Sequence, residues 1–103
     1  MITTNEWLPI GSVVHLEGTD GLIMITAAMV GDTSTNQLWD YAGVSYPIGK
    51  ARADDDVMFD RDAIDGIFYI GFQDEDGERY QDGLRMATEQ FEQMKRDMRG
   101  TER

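Results

Sequence analysis

The sequence has no cysteine, two prolines, one histidine and nine basic residues against twenty acidic ones in 103 positions. The missing thiols exclude disulfide staples and thiolate metal sites, and they suit a reducing cytosol. A lone histidine, His15, excludes a histidine-based metal cluster. No apolar run approaches the roughly 20 residues of a membrane span; the longest lies near residues 22–30. The start, MITTNEW, lacks the basic residues that open a signal peptide. With a formal charge of −11, the chain is a poor match for phosphate backbones or anionic lipid, so neither nucleic acid nor membrane is expected as a partner. Basic proteins or metal cations suit it better. Residues 1–83 carry 16 acids and 4 bases, whereas residues 84–103 carry 4 acids and 5 bases. The acidity therefore belongs to the front of the chain.

What is present is enough for a modest core, with 41% hydrophobic residues. One domain over 1–103 is expected, with a β-rich core over 7–75 and a helix and tail over 76–103. Residues 1–6 read as a frayed polar start. SVVHLEG predicts a strand at about 12–17, and TDG a hairpin turn in which Gly21 supplies positive φ. LIMITAAMV, 22–30, reads as a central strand covered on both faces, with a buried helix as the alternative that periodicity alone leaves open. QLWDYAGVSY, 37–46, reads as a third strand, and VMF as a short extended piece. DRDAID, 60–65, reads as a helical turn capped by Asp60, followed by a strand GIFYIGF at 66–72. Tyr80, Leu84, Ala87, Phe91, Met94 and Met98 recur at helical spacing and predict one apolar stripe, stopped near Gly100. Gly83 weakens the first turn, so firm helix is expected from about Leu84. The fold class is α+β: a small, mainly antiparallel sheet of about four strands, with a short helical turn and a C-terminal helix packed on it.

The search for chemistry finds little. His15 could act as a general base beside a carboxylate, but a short strand is an equally ordinary place for a titrating histidine. Asp54, Asp55 and Asp56, followed by Asp60, Asp62 and Asp65, are the densest acids. Neither a frame starting at Asp60 nor one starting at Asp74 meets the EF-hand template, so the alternatives are a solvated acidic loop or a cation site without a known frame. GVSYPIGK lacks the G-x-x-x-x-G-K-[ST] spacing of a phosphate cradle, and there is no G-x-S-x-G turn. No catalytic residue, cofactor site or metal site is assigned. On the terminal stripe, Leu84, Phe91, Met94 and Met98 are candidates for binding a protein partner, because flexible methionines suit adaptable grooves; they suit an ordinary core as well.

LPIGSVVHLEG, LIMI, WDYAGVSYPIG and FDRDAIDGIFYIGFQDED, taken in this order, resemble the small bacterial domain-of-unknown-function family 4176. The residues that carry the resemblance are Leu8, Pro9, Gly11, Ser12, Val13, Val14, Met24, Asp40, Tyr41, Gly43, Tyr46, Pro47, Gly49, Phe59, Ile64, Gly71 and Phe72, within residues 7–75. The chain departs from the pattern at Ile48, where glutamate is frequent, and at His15, where an aliphatic residue is usual. The resemblance implies Gram-positive type VII secretion gene neighbourhoods, near WXG-type and LXG-type export substrates. It carries no catalytic residues.

The expectation that follows is a non-enzymatic cytoplasmic accessory protein that binds a secreted effector, or a small helical export partner, as a chaperone or targeting factor. An immunity protein whose −11 charge meets a basic toxin site is the alternative. A structural or regulatory component of the secretion machinery and a small enzyme using His15 or the acidic loop are the remaining ones.

Overall fold

A computed structural model describes residues 6–100; the polar start, residues 1–5, and residues 101–103 lie outside the described residues. Five strands form one antiparallel sheet: β1 (Val13–Leu16), β2 (Leu22–Asp32), β3 (Gln37–Tyr46), β4 (Val57–Phe59) and β5 (Ile64–Tyr69). Their spatial order is β4-β3-β2-β1-β5. The helix α1 (Glu75–Gly100) packs on one face. The architecture is the expected α+β, with VMF counting as a fifth, short edge strand.

Side chains alternate across the sheet as strand geometry requires. Val14 of β1 pairs with Ile23 of β2 and points into the core, while the flanking pairs Val13–Met24 and His15–Leu22 point the other way. The core lies between this inner face and α1. It contains Val14, Leu16, Ile23, Ile25, Tyr41, Phe59 and Ile64 from the sheet region, and Leu84 and Phe91 from the helix. Trp7 and Leu8 enter it from the segment before β1. The Trp7 ring meets Tyr41 edge-on at 5.4 Å and Phe91 at 6.1 Å.

LIMITAAMV was expected to be covered on both faces. It is covered on one: Ile23 and Ile25 are buried, but Leu22 and Met24 are only partly so. One helix has one flank to offer, and α1 already lies on the inner face. The β1–β2 turn takes its positive φ at Gly18 (79°), not at Gly21. The turn before β5 is a 3-10 turn at Arg61–Ala63, and Asp60 makes no side-chain cap there. β5 accordingly begins at Ile64 and ends at Tyr69, earlier than the sequence suggests.

Firm helix begins at Glu75, nine residues before Leu84. Asp74 explains this: its Oδ1 accepts the Gly77 N–H at 2.9 Å, and Glu75, Asp76 and Glu78 suit the positive end of the helix dipole. The buried flank of α1 is also turned relative to the apolar stripe. Leu84 and Phe91 face inward as expected, but Gln81 and Lys95 are buried while Tyr80 and Met94 are about half exposed. The inward polar groups have partners: the Gln81 amide donates to the Trp7 carbonyl at 2.7 Å, and Trp7 Nε1–H donates to Thr88 Oγ1 at 2.7 Å.

Candidate functional site

The most polar constellation in the described structure joins the helix to the sheet. Lys95 Nζ lies 2.7 Å from Asp40 Oδ1 and 2.9 Å from Asp60 Oδ1. Arg61 places Nε 3.2 Å from Asp40 Oδ2 and a terminal nitrogen 2.8 Å from Glu92 Oε2. The Arg61 backbone N–H also donates to Asp40 at 2.8 Å, and the Asp40 N–H donates to Asp60 at 3.1 Å. The guanidinium stacks 4.3 Å from the Trp7 ring centre. Desolvation is the largest single influence on Lys95 and pushes its pKa down, but the hydrogen bonds and charges of Asp40 and Asp60 together outweigh it and hold it above the ordinary lysine value. These groups are saturated by one another. Their arrangement locks α1 onto the sheet.

The signature residues turn out to be structural. Tyr41 is fully buried, and its hydroxyl oxygen accepts the Leu8 N–H at 2.6 Å; burial pushes its pKa up to about 12. Ser12 is fully buried and its hydroxyl accepts the Gly71 N–H at 2.9 Å. A Cβ at Gly71 would sit 2.3 Å from the Ile10 carbonyl oxygen, so only glycine fits there. Gly43 is equally confined, with its absent Cβ 2.6 Å from both Ile23 Cγ2 and the Met24 carbonyl oxygen. It lies where the β2–β3 register shifts between Ile25 and Ala27. Asp40 anchors the ion network, and the Tyr46–Pro47 bond is cis.

His15 sits on the outer face of the sheet. Its Nδ1 lies 2.6 Å from Asp65 Oδ1, and its Nε2 lies 2.9 Å from the Thr19 carbonyl oxygen. Both nitrogens face acceptors, so the imidazolium satisfies both contacts and leaves neither lone pair free to act as a base. The Asp65 hydrogen bond, foremost, raises the His15 pKa above its ordinary value. In the acidic loop, Asp55 accepts the Ala51 and Arg52 N–H groups, and Asp56 pairs with Lys50 at 3.0 Å. Among the described residues no three acids or histidines converge on a point where a metal could sit, and no helix is long and apolar enough to cross a membrane.

The four stripe residues proposed from sequence are separated by the fold. Leu84 and Phe91 are buried in this domain's own core, and Met98 is partly buried. Met94 is half exposed and borders a groove with Met86, Glu89, Gln90, Gln93 and Arg96 on the outer side of α1. A different apolar surface lies on the open face of the sheet: a depression of about 390 Å³ lined by Gly11, Val13, Leu22, Met24, Tyr46, Phe68 and Tyr69. Phe68 is 66% exposed, Tyr69 60% and Tyr46 52%, so large aromatic surfaces stand in solvent together. Sequence reasoning missed this face. The signal available was the alternation of Leu22 and Met24 with Ile23 and Ile25, together with the presence of only one long helix.

The family model of a domain of unknown function, DUF4176, matches residues 7–80. The chain belongs to that family. The match takes in the whole sheet and the first turns of α1, hence the aromatic open face and every signature residue described above. No curated protein and no solved structure matches the chain. In this DUF4176 domain, the remainder of α1 beyond the match carries Leu84, Phe91 and Lys95, the groups that complete the core and the ion network.

Proposed function

We propose that this DUF4176 protein is a non-enzymatic accessory factor of type VII secretion, acting in the cytoplasm and holding an exported effector or its helical partner as a chaperone or targeting factor. The observation that carries the reading is the division of labour among its residues. The polar and glycine signature positions (Ser12, Asp40, Tyr41, Gly43, Gly71) are consumed by internal contacts, while aromatic surface is left in solvent on one face. Such a division suits a protein that presents a surface more than one that performs a reaction. Family membership supports it through the secretion gene neighbourhoods that the resemblance implies. The test is co-expression with the products of adjacent genes, gentle purification, and an export assay in a strain lacking this gene. Retention of a defined neighbour and loss of its export are expected; no retained neighbour together with unchanged export would sink the reading.

The charge of −11 favours one second reading, an immunity protein capping a basic toxin site. Rescue of cells from a co-expressed neighbouring toxin separates the two, since an export chaperone aids secretion without protecting the cell.

A further inference from the structure

We infer that the open face of the sheet is a docking trough for one amphipathic α-helix whose polar flanks are basic. The inference deepens the accessory role proposed above and rests on it for the existence of a protein partner.

The trough is built by register. Pairing of Val13 with Met24 and His15 with Leu22 places these side chains on the face opposite α1. Leu22 opposes Tyr46, and Met24 opposes Val44, carrying the same face across to β3. On the other side, two irregularities shape β5. Val13 pairs with Tyr69 but Val14 with Ile67, and His15 pairs with Gly66 but Leu16 with Ile64. Phe68 and Asp65 are thus the extra residues of two bulges. The first bulge lets the adjacent Phe68 and Tyr69 line the same depression. The second puts Asp65 against His15. Gly66 leaves room for the Phe68 ring, from which a Cβ there would lie 3.2 Å.

The width fits a helix. Aromatic residues rise from β3 (Tyr46) and from β5 (Phe68, Tyr69), with β2 and β1 as the floor between them. Three strand-to-strand steps separate β3 from β5, a span of about 14 Å. The aromatic rings take up part of that backbone-to-backbone span, so the remaining gap seats one flank of a helix about 10–12 Å across, with its apolar residues on Val13, Leu22 and Met24. A peptide strand added to the outer edge of β5 would leave this depression uncovered.

Charge selects the occupant. Strands β1 to β5 contain no lysine or arginine. On the open face Asp65 lies against His15, and the exposed Glu17 and Asp20 of the β1–β2 turn add acid at that end, Asp20 near enough to raise the His15 pKa. Arg61 and Lys95 are engaged in the buried network on the helix side. A second copy of the chain, also at −11, would be repelled. An occupant with lysine or arginine flanking a leucine-rich stripe is attracted, and is steered to the face at low salt.

The test uses the full chain and a labelled synthetic peptide of about 18 residues, with leucines on one helical face and lysines on the other. A glutamate-for-lysine version and a scrambled lysine peptide serve as controls. The lysine helix binds, the other two bind at least about tenfold more weakly, and Tyr46→Ser with Phe68→Ser lowers affinity by about tenfold or more, the loss expected of paired aromatic anchors. Met86→Ser on the outer side of α1 leaves binding unchanged. Equal binding of all three peptides, indifference to Tyr46→Ser with Phe68→Ser, or amide protection confined to the outer edge of β5 would overturn the proposal, as would a concentration-dependent dimer abolished by the same double substitution. The neighbour retained in the co-expression experiment separates this inference from the reading beneath it. If that neighbour still binds the double variant, the trough is wrong and the accessory role stands. If the lysine helix binds here but no neighbour is ever retained, the trough stands and the accessory role falls.

Discussion

Replacing Lys95 by methionine probes the junction between helix and sheet most directly. The ammonium lies 2.7 Å from Asp40, 2.9 Å from Asp60 and 3.6 Å from Glu92. Its side chain is 9% exposed and that of Asp40 is 4%. Methionine keeps the length of the aliphatic stem and removes the ammonium, with its charge and its hydrogen-bond donors. Asp40 and Glu92 then keep Arg61 as their cation, Asp60 loses its 2.9 Å contact with the ammonium, and Asp40 loses its shortest ion-pair contact. Breaking a buried pair from one side costs about 3–5 kcal/mol. For a domain of this size each kcal/mol moves Tm by about 4–8 °C, so a fall of more than about 10 °C is expected. Lys50→Met is the control. It breaks the 3.0 Å pair with Asp56, where the side chains are 48% and 36% exposed, and should cost no more than about 1 kcal/mol. Urea unfolding followed by tryptophan fluorescence reads both, since Trp7 packs against Arg61. The gap between wild type and Lys95→Met should narrow as pH falls through the carboxylate range, because protonation removes the unpaired charge. Equal costs for the two variants would refute the claim that this network holds α1 in place.

Gly71→Ala should destabilise by about 1–3 kcal/mol as an overpacking substitution, since its Cβ would sit 2.3 Å from the Ile10 carbonyl oxygen. Gly83→Ala, in α1 with nothing within 4 Å, should stabilise by about 1 kcal/mol; thermal melts decide both signs. His15 has its pKa raised in the folded state, so its contribution is fully present below its unfolded pKa and is lost as pH rises through the folded one. The stability advantage of wild type over His15→Asn should therefore be larger near pH 6 than near pH 8.5, and Asp65→Asn should lower the His15 pKa in an NMR titration. In an ultraviolet titration one of the four tyrosines should ionise near pH 12, and that step should vanish in Tyr41→Phe, which also costs about 1–3 kcal/mol by leaving the buried Leu8 N–H without its acceptor. Deleting residues 84–103 removes Leu84, Phe91 and Lys95 from the buried layer, and should abolish cooperative unfolding rather than merely weaken a partner.

The sequence by itself determined the elements whose signals are local. Short β-branched and apolar runs specified β1, β2 and β3 to within a few residues, because alternation and turn residues act over neighbouring positions. Helical spacing specified α1, and the order of the signature residues specified the family. Its N-terminus was placed too late because Gly83 is unfavourable on propensity, whereas Asp74 starts the helix by capping it. Other features depended on which surfaces meet. Lys95 reads as a solvent-exposed lysine until the fold supplies Asp40 and Asp60, each at least 35 positions away in sequence, and makes its burial tolerable. Met94 and Tyr80 read as core until that burial, with Gln81, turns the helix and leaves them half exposed. The aromatic trough joins Val13, Met24, Tyr46 and Phe68 from four strands. Its existence follows from one helix covering one side of a sheet that has two, a question of three-dimensional coverage that no local pattern encodes.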